Sequence, residues 1–229
     1  MILPAALGLS MLGGAVHGAF HRNSLVFGPV LGHLPTQERK VALTFDDGPN
    51  PDATPRILDT LGELDVRATF FVLGRHAEVW PDLVHRAVQE GHQVGNHGYF
   101  HRKLHFKLPR YVRRDMVLGK RAIVRAGSAP PHFFRAPHGF RSPWVSAIAG
   151  SLGERTIGWS LGVWDSDQPG VDAIVERTVT GVRPGSIVLL HDGDAYNADG
   201  DRLQTAAALP GIITGLRERG YEFVTLPVA

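Results

Sequence analysis

Two adjacent carboxylates, Asp46 and Asp47, end an alternating apolar run in the stretch VALTFDDGPN and precede a Gly-Pro-Asn turn. Turns favour these residue types, so the pair alone has a purely structural explanation. It also has a chemical one: one carboxylate can bind a metal ion while the other accepts a proton from water. Only two neighbouring carboxylates allow that division of labour.

Two histidines complete a candidate metal site. His97 and His101 are four residues apart, a spacing that on one helical turn aims both imidazoles in the same direction. A carboxylate from a neighbouring strand end would be the third ligand, and two histidines with one aspartate suit zinc. Such a site keeps a coordination position for water and lowers its pKa, so the residues predict hydrolysis.

These residues must be positioned by the elements around them. From Lys40 onward, β-branched or aromatic runs alternate with segments of helical apolar spacing, which predicts a parallel sheet curled into a barrel or a strongly curved open sheet. The predicted strands are 41–45, 68–73, 92–95, 133–135, 156–160, 186–190 and 222–226. The predicted helices are 54–64, 77–90, 109–126, 143–152, 172–181 and 202–219.

Chemistry in such folds collects at the C-terminal ends of the strands. Five predicted strands end in polar clusters, and independent turns would not all choose titratable residues at that rim. Besides the two aspartates, the clusters are Asn96, His97 and His101; Arg135 and His138; Trp164 and Asp165; and His191 and Asp192. We therefore interpret the rim as one site.

The composition limits the class of protein. The chain has 229 residues, of which 43% are hydrophobic and 20% charged, and its formal net charge is +2. These values are typical of one globular domain and do not indicate nucleic acid as a partner. Cysteine is absent, which excludes disulfides and thiol nucleophiles. Nothing in the sequence implies a protein partner.

The N-terminal segment has two interpretations. Residues 1–20 contain no Lys, Arg, Asp or Glu and approach the length of a membrane span, although Pro4, several glycines and the lack of a basic start weaken that reading. Membrane association through residues 1–20 would place the protein at the cell envelope or membrane. A segment that caps the domain would leave it in the cytoplasm. We expect residues 1–39 to be an apolar segment and linker, and residues 40–229 to be the domain.

Four motifs carry a resemblance to a known family. TFDDGPN, HGYFH, RAPHG and IVLLHDG occur in this order at predicted strand ends. They resemble the motifs of the polysaccharide deacetylases, the NodB-homology or carbohydrate esterase family 4 enzymes, over about residues 40–226. The resemblance implies a distorted (β/α)7 barrel and metal-dependent removal of N-acetyl groups from N-acetylglucosamine in peptidoglycan or chitin-like glycans. The implied cofactor is one divalent ion, zinc first, with cobalt, manganese or nickel as alternatives.

The resemblance also implies roles for individual residues. Asp46 would be the general base, and Arg135 would orient it, since a guanidinium can pair bidentately with a carboxylate. His191 would be the general acid, because a pKa near neutrality lets it donate to the departing amine. The implied metal ligands are Asp47, His97 and His101.

Four further residues are expected at the substrate: His138, Trp164, Asp165 and Leu189. The backbone N–H of His138 would help hold the tetrahedral oxyanion. Leu189 would line the pocket for the acetyl methyl group, and Trp164 could wall a sugar subsite. Gly98 stands where the family usually has Ser or Thr, which removes one hydrogen bond from that loop but should leave metal binding intact.

A further motif of the family, its fourth in chain order, lies between RAPHG and IVLLHDG. It is altered here, in the stretch WSLGVWDSDQP. Gly162 and Ser166 stand where the family has an Asp and a Trp, and that Asp is thought to tune the acid. We expect either that His191 is a weaker acid than in typical members or that another carboxylate replaces the missing one. The candidates for that replacement are Asp165, Asp167 and Asp192.

Two rival functions stay open at this point. One is an amidohydrolase of the same barrel that acts on a small non-sugar amide, which the altered fourth motif favours. The other is a metal-free carbohydrate-binding pseudoenzyme. The intact set argues against the pseudoenzyme: Asp46, Asp47, His97, His101, Arg135 and His191.

Overall fold

The computed structural model describes residues 13–228, and its centre is a sheet of parallel strands. The longer strands are buried along nearly their whole length, as parallel strands covered by helices must be. In chain order the strands are β1 (Lys40–Asp46), β2 (Thr69–Val72), β3 (Gln93–Asn96), β4 (Phe133–Phe134), β5 (Arg155–Thr156), β6 (Leu161–Gly162), β7 (Ser186–His191) and β8 (Glu222–Phe223).

The sheet curls into a half-barrel. Its strand order is β5-β4-β3-β2-β1-β7-β6, and β8 pairs with the start of β1. The predicted α/β fold, a distorted and NodB-like (β/α)7 barrel, is confirmed. The single strand predicted over 156–160 is wrong, because its first residue ends β5 at one edge of the sheet and the chain then runs to β6 at the other edge.

Helices lie against the sheet between successive strands. The chain 13–20 is helical and is called α1. The others are α2 (Ala53–Glu63), α3 (Gly74–Val79), α4 (Pro81–Gln89), α5 (Pro109–Arg125), α6 (Val145–Ser151), α7 (Val171–Gly181) and α8 (Leu203–Glu218). One helix predicted over 77–90 is instead two. Pro81 disfavours helical torsions at Trp80, which has φ −126° and ψ 57°, so α3 ends before it.

Strand β1 separates a helix-facing core from the interior of the half-barrel. Val41, Leu43 and Phe45 pack in the core formed with the helices, whereas Ala42 packs in the interior cluster. Burial of such side chains stabilises the fold by about 1.5–3 kcal/mol each for the larger ones, which fixes the orientation of the strand. Because side chains alternate along a strand, Asp46 shares the interior face with Ala42.

The described part of the N-terminal segment packs against the domain. Leu31 forms a parallel bridge with Ile157, and Leu34 lies in the interior cluster. The backbone N–H of Arg141 donates to Ala19 O at 3.1 Å. Membrane association was predicted through residues 1–20, of which residues 1–12 lie outside the described residues, and the boundary at residue 40 stays a prediction. Among the helices of residues 13–228, none has the length and apolar character to cross a membrane.

Candidate active site

Asp46 and Asp47 reach the same cavity because β1 ends between them. Asp46 is the last residue of β1 and faces the interior, so Asp47 would face the other way if the strand continued. Asp47 instead has a left-handed backbone, with φ 73°, a conformation that residues other than glycine rarely adopt. Its carboxylate therefore joins that of Asp46, and both side chains are buried.

Asp47, His97 and His101 converge as metal ligands would. Asp47 Oδ1 lies 3.4 Å from His97 Nε2 and 3.2 Å from His101 Nε2, and all three residues are buried. Tetrahedral zinc ligands at about 2.1 Å from the ion lie about 3.4 Å apart, so these separations fit. Asp47 Oδ1 has no hydrogen-bond partner within residues 13–228, although buried oxygens normally have one. The donor set therefore suits a divalent cation.

The protonation of His101 favours the same conclusion, whereas that of His97 depends on the carboxylates beside it. Burial lowers the pKa of His101 to about 3, which leaves its imidazole neutral and able to ligate. Burial would also lower the pKa of His97, but the carboxylates of Asp46 and Asp47 outweigh it and raise that pKa. The Nδ1 of His97 lies 2.9 Å from Arg135 O and donates to it, so Nε2 faces Asp47.

The spacing of the two histidines predicted that they lie on one helical turn, and this prediction is wrong. Residues 97–101 form an irregular loop after β3, with left-handed torsions at Gly98 (φ 79°) and His101 (φ 54°). Asp115 of α5 accepts the backbone N–H groups of Tyr99 at 3.3 Å and Phe100 at 3.1 Å. A β-carbon at position 98 would lie 2.4 Å from Asp115 Oδ2. Glycine therefore makes room for the carboxylate that holds this loop.

Arg135 holds Asp46, the predicted base. Its Nη1 donates to Asp46 Oδ1 at 2.7 Å and to Thr44 Oγ1 at 2.8 Å, and its Nη2 donates to Gly158 O at 2.9 Å. The predicted bidentate pairing is therefore wrong, because the guanidinium divides its donors among three acceptors. The other oxygen of Asp46, Oδ2, lies 3.7 Å from His97 Nε2 and faces the ligand cluster.

His191, the predicted acid, stands opposite Asp46 in the register of β7 and β1. Its Nδ1 lies 2.9 Å from Asp165 Oδ1, and its backbone N–H donates to Asp165 Oδ2 at 2.7 Å. Burial alone would lower the pKa of His191, but the carboxylate of Asp165, together with those of Asp47 and Asp46, outweighs burial and raises that pKa to about 9. Of the two expectations for the altered fourth motif, the contact favours a replacement carboxylate, Asp165, over a weaker acid.

Asp165, which was predicted to contact substrate, lines the cavity, and that role stays a prediction. It is buried, and besides its contacts with His191 its carboxylate accepts the hydroxyl of Thr205 at 2.8 Å. Asp192, another candidate for the tuning role, instead accepts the hydroxyl of Thr54 at 2.7 Å.

These groups line a cavity of about 630 Å³ at the C-terminal ends of the strands. Leu189 lines it from β7 and is nearly buried, whereas Trp164 is 69% exposed. His138 lies in a 3-10 turn with φ 59°, and its ring centroid is 4.6 Å from that of His101. All three residues lie where a substrate could contact them, and their individual roles stay predictions.

Three residues of the site were not found from the sequence: Thr44, Tyr196 and Thr205. Thr44 could have been found, because it precedes Asp46 by two residues and shares its face of β1. Tyr196 follows β7, is 68% exposed and lies edge-on to His101 at 5.9 Å between centroids. Neither Tyr196 nor Thr205 carries a sequence signal, since Tyr196 reaches the cavity from an irregular loop and Thr205 contacts Asp165 from α8.

Comparisons with known proteins agree with this fold. The model of the polysaccharide deacetylase family matches residues 33–157. A chitooligosaccharide deacetylase of Sinorhizobium fredii is 44% identical over 193 residues, which cover 82% of this chain and 90% of that protein. A peptidoglycan-N-acetylglucosamine deacetylase of Bacillus cereus is 37% identical over 204 residues, which cover 87% and 92%. The crystal structure of the Bc1960 peptidoglycan N-acetylglucosamine deacetylase is 33% identical, with a TM-score of 0.79 over 86% of this chain and 91% of that one.

The half-barrel and its polar rim thus define a hydrolase of the α/β class. The chain belongs to the polysaccharide deacetylase family, carbohydrate esterase family 4, and its domain is a NodB homology domain. The family resemblance of the four motifs is confirmed.

The contact between Asp165 and His191 gives a first prediction. Asp165→Asn removes the charge that favours the imidazolium, so the pKa of His191 should fall from about 9 towards the unperturbed value of about 6.5. The measurement is an NMR titration of the His191 ring in protein freed of metal by a chelator. In the metal-loaded enzyme, the loss of activity with rising pH should then begin at lower pH, because the acid must be protonated.

Asp167→Asn is the matched control, since Asp167 lies in the same 3-10 turn and is exposed. In this variant the His191 ring should have the same pKa as in the parent protein. An unchanged His191 pKa in a folded Asp165→Asn variant would show that another group tunes the acid.

Proposed function

We propose that this protein removes acetyl groups from N-acetylglucosamine residues of a glycan by metal-dependent hydrolysis. The observation that carries the proposal is the arrangement in one cavity of three ligating atoms, from Asp47, His97 and His101, with an ionisable pair on either side. Asp46 with Arg135 forms one pair, and His191 with Asp165 forms the other. The names of the relatives support the chemistry.

The metal would be held by Asp47 Oδ1, His97 Nε2 and His101 Nε2. Two imidazoles and one carboxylate suit zinc, and cobalt, manganese or nickel could take the same ligands. A bound divalent ion would supply Lewis acidity, which makes water easier to deprotonate and polarises the acetamide carbonyl.

Asp46 is the group that accepts the proton of the attacking water. Its Oδ1 accepts a hydrogen bond from Arg135, and its Oδ2 faces the ligand cluster. The hydrogen bond from Arg135 Nη1 also prevents rotation of the carboxylate away from the cavity. Arg135 thus positions the base without contacting the substrate.

His191 is the group that protonates the leaving amine nitrogen. The Nδ1–H of His191 donates to Asp165, so the other ring nitrogen, Nε2, is the one available to protonate the amine. At neutral pH the ring carries its proton, because its pKa is raised to about 9. The acid therefore begins the reaction in the protonation state that donation to the amine needs.

The cavity walls support a sugar substrate over a small amide. Leu189 offers an apolar surface inside the cavity, and the exposed rings of Trp164 and Tyr196 also line it. Ligand pockets are typically lined by apolar and aromatic side chains, and an exposed aromatic ring can stack on a sugar ring. Acetate release from N-acetylglucosamine oligomers, against release from simple acetamides, separates the two substrate classes.

The metal ligands give a second prediction. Asp47→Ala, His97→Ala and His101→Ala should each lower zinc affinity by more than the roughly 10- to 100-fold that loss of an outer-shell partner costs. Zinc per protein after dialysis, measured by mass spectrometry, checks this. His138→Ala is the control, because it removes an imidazole beside His101 that is not part of the ligand set. Full zinc occupancy in all three ligand variants would refute the site.

The base gives a third prediction. Asp46→Asn should keep zinc, since the amide can still accept a hydrogen bond from Arg135, but it cannot accept a proton. Acetate release should fall by about 10² to 10⁴-fold. Turnover at the parent rate by the zinc-loaded variant would assign the base to another group.

A further inference from the structure

An exposed apolar surface lies beside the cavity. Phe106 is 80% exposed and Leu108 is 57% exposed, and both come shortly after the loop that carries the two ligand histidines. The ring centroid of Phe106 lies 6.3 Å from that of Phe20, an exposed residue that ends α1 and lines the cavity. Single exposed apolar residues are common, whereas a contiguous group of them marks an interaction surface. We call Phe20, Phe106 and Leu108 the apolar patch.

Positive charge surrounds the apolar patch. Lys103 Nζ lies 5.9 Å from the ring centroid of Phe140, and that ring lies 5.3 Å from the ring of Phe20. Residues 91–114 contain no Asp or Glu. The exposed cations of this stretch nearest in sequence to Phe106 are Arg102, Lys103, Lys107 and Arg110. Within residues 13–228, none of these four lies within 4.0 Å of a carboxylate.

The apolar patch is continuous with the uncharged start of the chain. Residues 1–20 contain no Lys, Arg, Asp or Glu, and their last member, Phe20, is the residue that meets Phe106. Val16 lies one helical turn before Phe20 on the same face of α1 and is also exposed. Apolar side chains from two separate parts of the sequence therefore meet on one surface.

Apolar side chains ringed by lysine and arginine match the surface of an anionic membrane. Aromatic and aliphatic side chains insert at the boundary between head groups and acyl chains, while the cations stay among the anionic head groups. A neutral glycan would stack on the Phe106 ring but would gain nothing from the four cations. The combination of charge and apolar surface thus favours lipid as the occupant.

We propose that the apolar patch docks the folded domain on a bilayer that contains anionic lipids, with Phe106 and Leu108 inserted and the cavity beside the membrane surface. This docking surface belongs to the domain and is distinct from an anchor formed by residues 1–20 alone. The inference goes beyond the proposed deacetylase function and does not depend on it, so its test measures binding and not acetate release.

Co-sedimentation of the full chain with vesicles tests the proposal. The parent should bind vesicles of phosphatidylglycerol and phosphatidylcholine in equal parts more tightly than vesicles of phosphatidylcholine, and added salt should weaken that preference. Phe106→Ser should lower affinity for the mixed vesicles about tenfold, because burial of the ring is lost. Lys103→Gln and Lys107→Gln should each lower it about 5-fold, as expected for one basic residue at an anionic surface.

Val124→Ser and Arg121→Gln are the matched controls. Both residues are exposed and lie towards the far end of α5, a helix of 17 residues and about 25 Å that begins directly after Leu108. Both variants should bind vesicles like the parent. Parent-like binding by Phe106→Ser and by both lysine variants would show that the N-terminal segment alone holds the membrane. That result, or no vesicle binding by the parent, would overturn the inference.

A fluorescent label tests the orientation directly. The chain contains no cysteine, so Leu108→Cys provides a single site for an environment-sensitive dye. Its emission should shift to shorter wavelength when the mixed vesicles are added, and the same dye on Val124→Cys should not respond. A shift at both positions or at neither would contradict docking through the apolar patch. Dimerisation that Phe106→Ser abolishes, without vesicle binding, would assign the patch to a second copy and would also overturn the inference.

Discussion

The buried contact between Arg135 and Asp46 is the interaction on which the rest of the site depends. A guanidinium that is fully buried needs compensation, and removing one partner of such a pair typically costs about 3–5 kcal/mol. Asp46, Thr44 and Gly158 O supply that compensation, and the Phe71 ring lies 4.1 Å from the guanidinium carbon. The same residue fixes a proposed metal ligand, because its carbonyl accepts Nδ1–H of His97. One arginine thus sets the orientation of both the proposed base and a proposed ligand.

The register of the parallel strands places the other site residues beside this contact. The register of β1 and β7 sets Asp46 opposite His191, and the register of β3 and β4 sets Asn96 opposite Phe134, one residue before His97 and Arg135. The proposed acid and base therefore lie at the same level of the half-barrel. Asp165 raises the pKa of the His191 imidazole, while Arg135 holds Asp46 by a hydrogen bond.

Alternation of apolar and polar residues was enough to predict the sheet, six of its strands to within a few residues, and the polar rim at its C-terminal ends. It could not predict how the chain leaves the strands. Asp47 and His101 reach the metal site through left-handed torsions, which no residue pattern reports, and the loop between the histidines depends on Asp115 from a distant helix. Asp165 was found as a rim residue, but its role follows from a contact with His191 across 26 positions of sequence. Phe106 was not singled out at all, because only the packing of Phe20 against it joins it to the N-terminal segment.

Anomalous diffraction from zinc-soaked crystals tests the central claim most directly. The claim is that Asp47, His97 and His101 bind the metal while Arg135 withholds Asp46 from it. The predicted result is one anomalous peak within about 2.0–2.3 Å of Asp47 Oδ1 and of Nε2 in both histidines, with the Arg135–Asp46 hydrogen bond intact. A peak coordinated by Asp46 in place of Asp47, or no peak in this cavity at saturating zinc, would contradict it.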